Sequence, residues 1–269
     1  MTEHPTTFSL ADDAQGGYAA AAAAVSEGQC IVLPTDTVYG IGADAFSADA
    51  VQGLLDAKRR GKDMPPPVLI AERLMMRAVV TSVPAAADEL AKAFWPGALT
   101  LILKAQPAAR LQLGETHGTV AIRVPDHDGA RELLRRTGPL AVSSANVSGE
   151  PPATSCADAE AQLGDSVAVY LDGGQAPGGV ASTIVDFTRF EHGEVVRLGA
   201  LSLEQLQEVA PGVVLPAEPE PEPEPESSES TESEPADSDS DPAEPEATDD
   251  EPTEVLRDPA SERPGDTPA

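Results

Sequence analysis

The chain has 269 residues and carries 46 acidic against 17 basic side chains, a formal net charge of −29. That excess excludes a generally basic, nucleic-acid-coating protein, because a polyanion is repelled wherever the surface is not locally polarised. Much of the imbalance is local: from Pro216 onward lie 20 acidic residues, two arginines and 12 of the 26 prolines, beginning with Pro216-Ala217 and the run EPEPEPEPE, and almost nothing apolar beyond Val255 and Leu256.

Such a segment buries too little surface to offset the entropy of ordering, so residues 216–269 are expected to form a disordered acidic tail. Residues 1–215 retain 26 acidic and 15 basic side chains, net −11, and enough Ala, Val, Ile and Leu for a sizeable core. With one Trp and few other aromatics, base-stacking platforms are poorly supplied. Cys30 and Cys156 form neither a disulfide framework nor a metal-spaced pair, which fits a reducing compartment. The apolar stretch Tyr18–Val25 is short and mostly alanine, and no Lys or Arg precedes Lys58, so neither a signal peptide nor a membrane span is expected. The protein is expected to be soluble and cytoplasmic.

In chain order, Asp12 and Asp13 precede an alanine-rich run that stops at Gly28, predicting a capped helix with a glycine exit. CIVL at 30–33 predicts a buried strand ended by Pro34. The segment PTDTVYGIGADAF then reads as a loop, after which Ser47 caps a second helix that carries Val51, Leu54 and Leu55 at helical spacing and ends at Gly61. Strands are predicted at 68–71, 99–104, 119–124, 140–144, 167–171, 182–187 and 194–198, and helices at 85–94, 128–136, 155–163 and 202–209. Strands and helices alternate irregularly, which argues for an α/β domain around a mixed sheet.

Several segments could carry chemistry. In PTDTVYGIG, Thr35, Thr37 and Tyr39 offer hydroxyls between a strand and a helix, where α/β folds collect ligands; an ordinary turn explains the same residues equally well. Gly40, Gly42 and Ala45 match a dinucleotide fingerprint, but the strand ends at Pro34 and the helix opens near Ser47, the wrong context for a Rossmann site. In KRRGK, Lys58 continues the buried face of the second helix, and an inward lysine calls for an anion. Arg59 fits a solvated helix C-terminus. SSANVSG supplies Ser144, Asn146 and Ser148 after a strand, suited either to nucleotide contacts or to loop-stabilising turns. Arg123 and Arg197 interrupt apolar strands and need an acid or a bound anion, a protein carboxylate being the commoner partner. The four histidines match no zinc spacing, and no metal site is assigned.

Together, PTDTVYGIGADAF, the Lys58-x-Arg60 pair, FWPGALTLIL, TVAIRVP, SSANVSG, STIVDF and VVRLGAL follow the order and spacing of the YrdC-like family, and from about Ala14 to Val209 the chain resembles its single-domain members. The resemblance implies a twisted mixed α/β sheet with flanking helices around a large concave cleft, and 1–215 as the catalytic domain. It implies synthesis of threonylcarbamoyl-adenylate and pyrophosphate from L-threonine, bicarbonate and ATP with Mg²⁺. A partner tRNA transferase complex would consume that product, so that tRNA is met only indirectly or weakly. It further implies threonine contacts from Thr37, Arg123, Ser144 and Ser182, and ATP contacts from Lys58, Arg60, Thr119, Asn146, Thr154 and Arg197, with Lys58 and Arg60 stabilising charge in the reaction. Where many relatives place an Asn and a His after the Lys-x-Arg pair, this chain has Met64 and Leu69. The alternative is a non-catalytic RNA-binding or ribosome-associated module, against which the net negative charge stands.

Overall fold

A computed structural model describes residues 4–178 and 180–216. Apart from Pro216, the expected acidic tail lies outside them.

The elements in chain order are β1 (Thr6–Ser9), α1 (Leu10–Ser26), β2 (Ile31–Leu33), β3 (Gly40–Asp44), α2 (Ala48–Ala57), β4 (Val68–Leu69), α3 (Met76–Val79), α4 (Ala85–Phe94), β5 (Leu99–Lys104), β6 (Thr119–Arg123), α5 (Asp128–Thr137), β7 (Leu140–Ser144), α6 (Cys156–Leu163), β8 (Val169–Asp172), β9 (Thr183–Asp186), β10 (Glu194–Arg197) and α7 (Leu203–Val209). α1 starts before Asp12, yet the aspartate cap is present: Asp13 leaves the helical region at φ −141°, ψ 71°, and its carboxylate accepts the Gly16 amide at 2.9 Å. Ser47 caps α2 by accepting the Ala50 amide, and Ser155 and Ser202 form capping boxes at the starts of α6 and α7. α2 ends at Ala57 rather than near Gly61, because Arg59 adopts a left-handed φ of 53°.

β3 corrects the loop assignment of PTDTVYGIGADAF. Gly40 and Gly42 weaken the strand signal in sequence, but one of them is required by packing: a Cβ on Gly40 would stand 2.7 Å from Val142 Cγ1 on β7. β3 pairs antiparallel with both β2 and β7, which leaves no strand-to-helix phosphate turn at these glycines.

The described residues build one ten-stranded mixed sheet in the order β1-β8-β2-β3-β7-β4-β6-β5-β9-β10. Alternation along each strand sends successive side chains to opposite faces. On one face, Val32, Ile41, Leu99, Leu101, Leu103 and Ile122 join a core with residues of α2, α4, α6 and α7. On the other, Ile31, Leu33, Leu140 and Val169 pack under Tyr18, Ala21, Leu133 and Leu134 of α1 and α5. Those two helices cover only the β1-to-β4 half. Beyond β4, the same face of β6, β5, β9 and β10 lines an open cleft of about 470 Å³.

Candidate active site

The strand register orders the cleft floor. Leu69 of β4 lies opposite Arg123 of β6, Thr100 of β5 opposite Ile184 of β9, and Ile184 opposite Arg197 of β10. Continuing the β5–β6 register, in which Leu101 faces Ile122, sets Thr100 beside Arg123. One row across the floor is therefore Leu69, Arg123, Thr100, Ile184, Arg197. The next row is apolar, with Ala121 opposite Ile102, and Thr119 and Ser144 supply hydroxyls beyond it.

Arg123 is buried, and its guanidinium joins three segments. NH2 donates to Asp36 Oδ1 at 2.6 Å, NH1 to Thr37 Oγ1 at 3.0 Å and Nε to the Gly97 carbonyl at 2.9 Å. The carboxylate partner expected of an arginine in an apolar strand is thus Asp36, a residue the motif reading passed over because 87 positions separate the two. Thr37 also shares a hydrogen bond with Thr35 Oγ1 at 3.1 Å. Tyr39 spends its hydroxyl on structure: it donates to the Gly174 carbonyl at 2.5 Å and accepts the Gly173 amide at 3.0 Å, anchoring the segment to the loop after β8.

Lys58 is 2% exposed, so the helical series placed it on the correct side. Its ammonium, however, meets carbonyls instead of an anion, those of Ser144 at 2.5 Å and Asn146 at 2.7 Å. Burial first, and the neighbouring Arg60 second, pull its pKa down to about 8. Arg60 itself lines the cleft. NH1 reaches Ser143 Oγ at 3.4 Å, Nε is buried with no partner among the described residues, and burial lowers its pKa. Arg197 donates to the Ser182 carbonyl at 2.8 Å at the cleft edge; burial and then Arg123 lower its pKa. A buried guanidinium nitrogen without a partner carries a cost that an anion bound by the rest of the same guanidinium would offset.

Seven of the ten residues expected from sequence thus gather around the cleft: Thr37, Arg60, Thr119, Arg123, Ser144, Ser182 and Arg197. Lys58, Asn146 and Thr154 are not on its walls. Asn146 is buried, with Nδ2 donating to the Val147 and Glu150 carbonyls and Oδ1 without a partner among the described residues. Thr154 Oγ1 donates to Asp158 Oδ2 at 3.3 Å, at the N-terminus of α6. Met64 is exposed and Leu69 lines the cleft. Sequence reading also missed Thr100, whose signal was a lone hydroxyl between Leu99 and Leu101. Among the described cleft-lining residues there are three arginines and no carboxylate, so an acidic chain presents a cationic cavity. No helix of the described residues is long and apolar enough to cross a membrane.

A half-covered mixed sheet whose bare half floors an arginine-walled cleft defines an α/β protein built to bind small anions. The model of the Sua5, YciO and YrdC family, described as telomere recombination, matches residues 23–199, and the chain belongs to that family. A Mycobacterium tuberculosis protein, provisionally named a threonylcarbamoyl-AMP synthase, is 50% identical over 78% of this chain and 95% of its own length. The threonylcarbamoyl-AMP synthases of Pyrococcus abyssi and Bacillus subtilis are 37% and 41% identical over 70% and 71% of this chain, which spans 56% of each of them. The crystal structure of P. abyssi Sua5 complexed with L-threonine superposes with a TM-score of 0.66 at 34% identity, covering 72% of this chain and 57% of that one. E. coli YciO, at 23% identity and a TM-score of 0.65, shares the fold.

Proposed function

We infer that this chain is a threonylcarbamoyl-AMP synthase, which joins L-threonine, bicarbonate and ATP into threonylcarbamoyl-adenylate and releases pyrophosphate. The observation that carries the reading is the cationic cleft of about 470 Å³, within the usual size range of small-molecule sites, in a chain that matches synthases of this name over most of its folded part. Arg123 takes the threonine carboxylate, with Thr37, Ser144 and Ser182 supplying hydroxyls to the same cleft; that P. abyssi Sua5 was obtained in complex with L-threonine supports an amino-acid site in this fold. Arg60 and Arg197, the other two wall cations, take phosphate oxygens, and Thr119 a nucleotide hydroxyl.

The threonine amine adds to the carbon of bicarbonate with loss of water, giving a carbamate. A carbamate oxygen then attacks the α-phosphorus of ATP, the bond to the β-phosphate bridging oxygen breaks, and pyrophosphate leaves with that electron pair. The protein forms no covalent intermediate. It places the carbamate and the α-phosphate side by side and neutralises charge on the phosphates, with Arg60 nearest the Ser143–Ser144 wall. Lys58 acts from behind that wall, holding the Ser144 and Asn146 carbonyls and adding positive potential. Magnesium enters as part of the Mg-ATP substrate.

The mixed anhydride is reactive, so a tRNA threonylcarbamoyl transferase in the same cytoplasm consumes it, and tRNA is met through that partner. The same proposal divides the chain into a catalytic domain, 1–215, and an acidic appendage, 216–269. Pyrophosphate release from Mg-ATP tests the reading: it should require threonine and bicarbonate together. Release independent of threonine, or none with all three present, would overturn it.

A further inference from the structure

The three residues side by side on the cleft floor suggest how the amino-acid side chain is chosen. Arg123 is flanked on one side by Leu69, which is buried, lines the cleft and sits directly opposite it on β4. On the other side stands Thr100 of β5, 1% exposed, whose Oγ1 is 2.9 Å from Ser182 Oγ. Two hydroxyls joined by one hydrogen bond use one of their two protons and leave the other to donate. Ser182 Oγ also accepts from Arg197 NH2 at 3.4 Å, and neither hydroxyl has a further acceptor among the described residues. A buried hydroxyl proton with no acceptor is a cost that a ligand hydroxyl would relieve.

A ligand whose carboxylate is held by Arg123 therefore has an apolar wall to one side of its β-carbon and a hydrogen-bond donor to the other. Threonine has a methyl and a hydroxyl on that carbon. Serine lacks the methyl, and 2-aminobutyrate lacks the hydroxyl. We propose that Leu69 and Thr100 are the specificity-determining residues of the amino-acid subsite, Leu69 taking the substrate methyl and Thr100, through its pair with Ser182, taking the substrate hydroxyl. This rests on the synthase reading above and extends it to two side chains to which the fold assigns opposite chemistry on either side of one arginine.

The test compares kcat/KM for pyrophosphate release with threonine, serine and 2-aminobutyrate in the full chain and its variants. Leu69→Ala should lower the threonine-to-serine ratio by about 10-fold, the low end for a methyl in an apolar pocket, and leave the threonine-to-2-aminobutyrate ratio in place. Thr100→Val should do the reverse by about 10-fold or more, and Thr100→Ser, which keeps the hydroxyl, should behave as wild type in that ratio. Leu69→Val, on a strand that favours β-branching, should shift the threonine-to-serine ratio in the same direction if the alanine variant does not fold. Normal wild-type turnover with ratios unmoved in the variants would overturn this assignment alone. A wild-type chain that releases no threonine-dependent pyrophosphate would instead overturn the function beneath it.

Discussion

Removing Asp36 exposes the electrostatic design of the cleft floor. The Asp36 and Arg123 side chains are 13% and 9% exposed and 2.6 Å apart, so Asp36→Ala leaves a guanidinium largely out of water without its counter-charge. Breaking a buried pair by deleting one partner costs roughly 3–5 kcal/mol. Arg123 keeps the Gly97 carbonyl and the Thr37 hydroxyl, which places the expected loss at the lower end, about 3 kcal/mol. For a folded unit of this size each kcal/mol moves the melting temperature by about 2–4 °C, so the variant should melt about 6–12 °C below wild type. Differential scanning calorimetry at neutral pH reads this directly. Adding Arg123→Met should recover part of the loss, because no orphaned charge then remains. An Asp36→Ala chain melting within about 2 °C of wild type, or a double variant less stable than the single one, would refute the pairing as the reason this arginine is tolerated in a buried strand.

Three further outcomes follow. Arg60→Ala should lower kcat for pyrophosphate release by about 100-fold, and Arg60→Lys should restore only part of it, since a point charge does not replace the guanidinium fork. Lys58 has a folded pKa of about 8 against its usual 10.5, so below about pH 8 the cost of burying its ammonium is fully present. Between those values the unfolded chain holds a proton that the folded chain has released, so this group's contribution to stability improves as pH rises, whereas turnover should fall through about pH 8 as the ammonium is lost; Lys58→Met should abolish both trends in paired denaturation and rate profiles. Gly40→Ala should lower the urea midpoint by the equivalent of about 1–3 kcal/mol, because its Cβ would strike Val142 Cγ1, and Val142→Ala in the same chain should relieve the clash.

How much was legible in sequence follows from how local each signal is. β5, β7 and α4 run over the residues their apolar patterns indicate, because period-2 and period-3.6 alternation is written into consecutive positions. β3 escaped because its glycines answer to Val142, about a hundred residues away, and β1 because four residues reading TTFS give little apolar signal. In the site, helical spacing turned Lys58 inward correctly, but the carbonyls that receive it belong to the last residue of β7 and the loop after it, 86 and 88 positions on. Of the seven residues that meet around the cleft, Thr119, Arg123, Ser144 and Arg197 are placed there by strand order and register, and Thr37, Arg60 and Ser182 by the segments that flank those strands, which no single stretch of sequence specifies. Thr154 shows the converse: the resemblance that implied it as an ATP contact gave no hint that Asp158 would engage its hydroxyl.

A cleft that makes a mixed anhydride of threonine carbamate and adenylate must release a product with a distinctive mass. The most direct measurement is mass spectrometry of the products after incubating the full chain with L-threonine, ¹³C-bicarbonate and Mg-ATP. Threonylcarbamoyl-adenylate carrying the ¹³C label should form in step with pyrophosphate and be lost when threonine is omitted. AMP and pyrophosphate without the labelled adduct at the earliest times, or an adduct without the label, would contradict this chemistry.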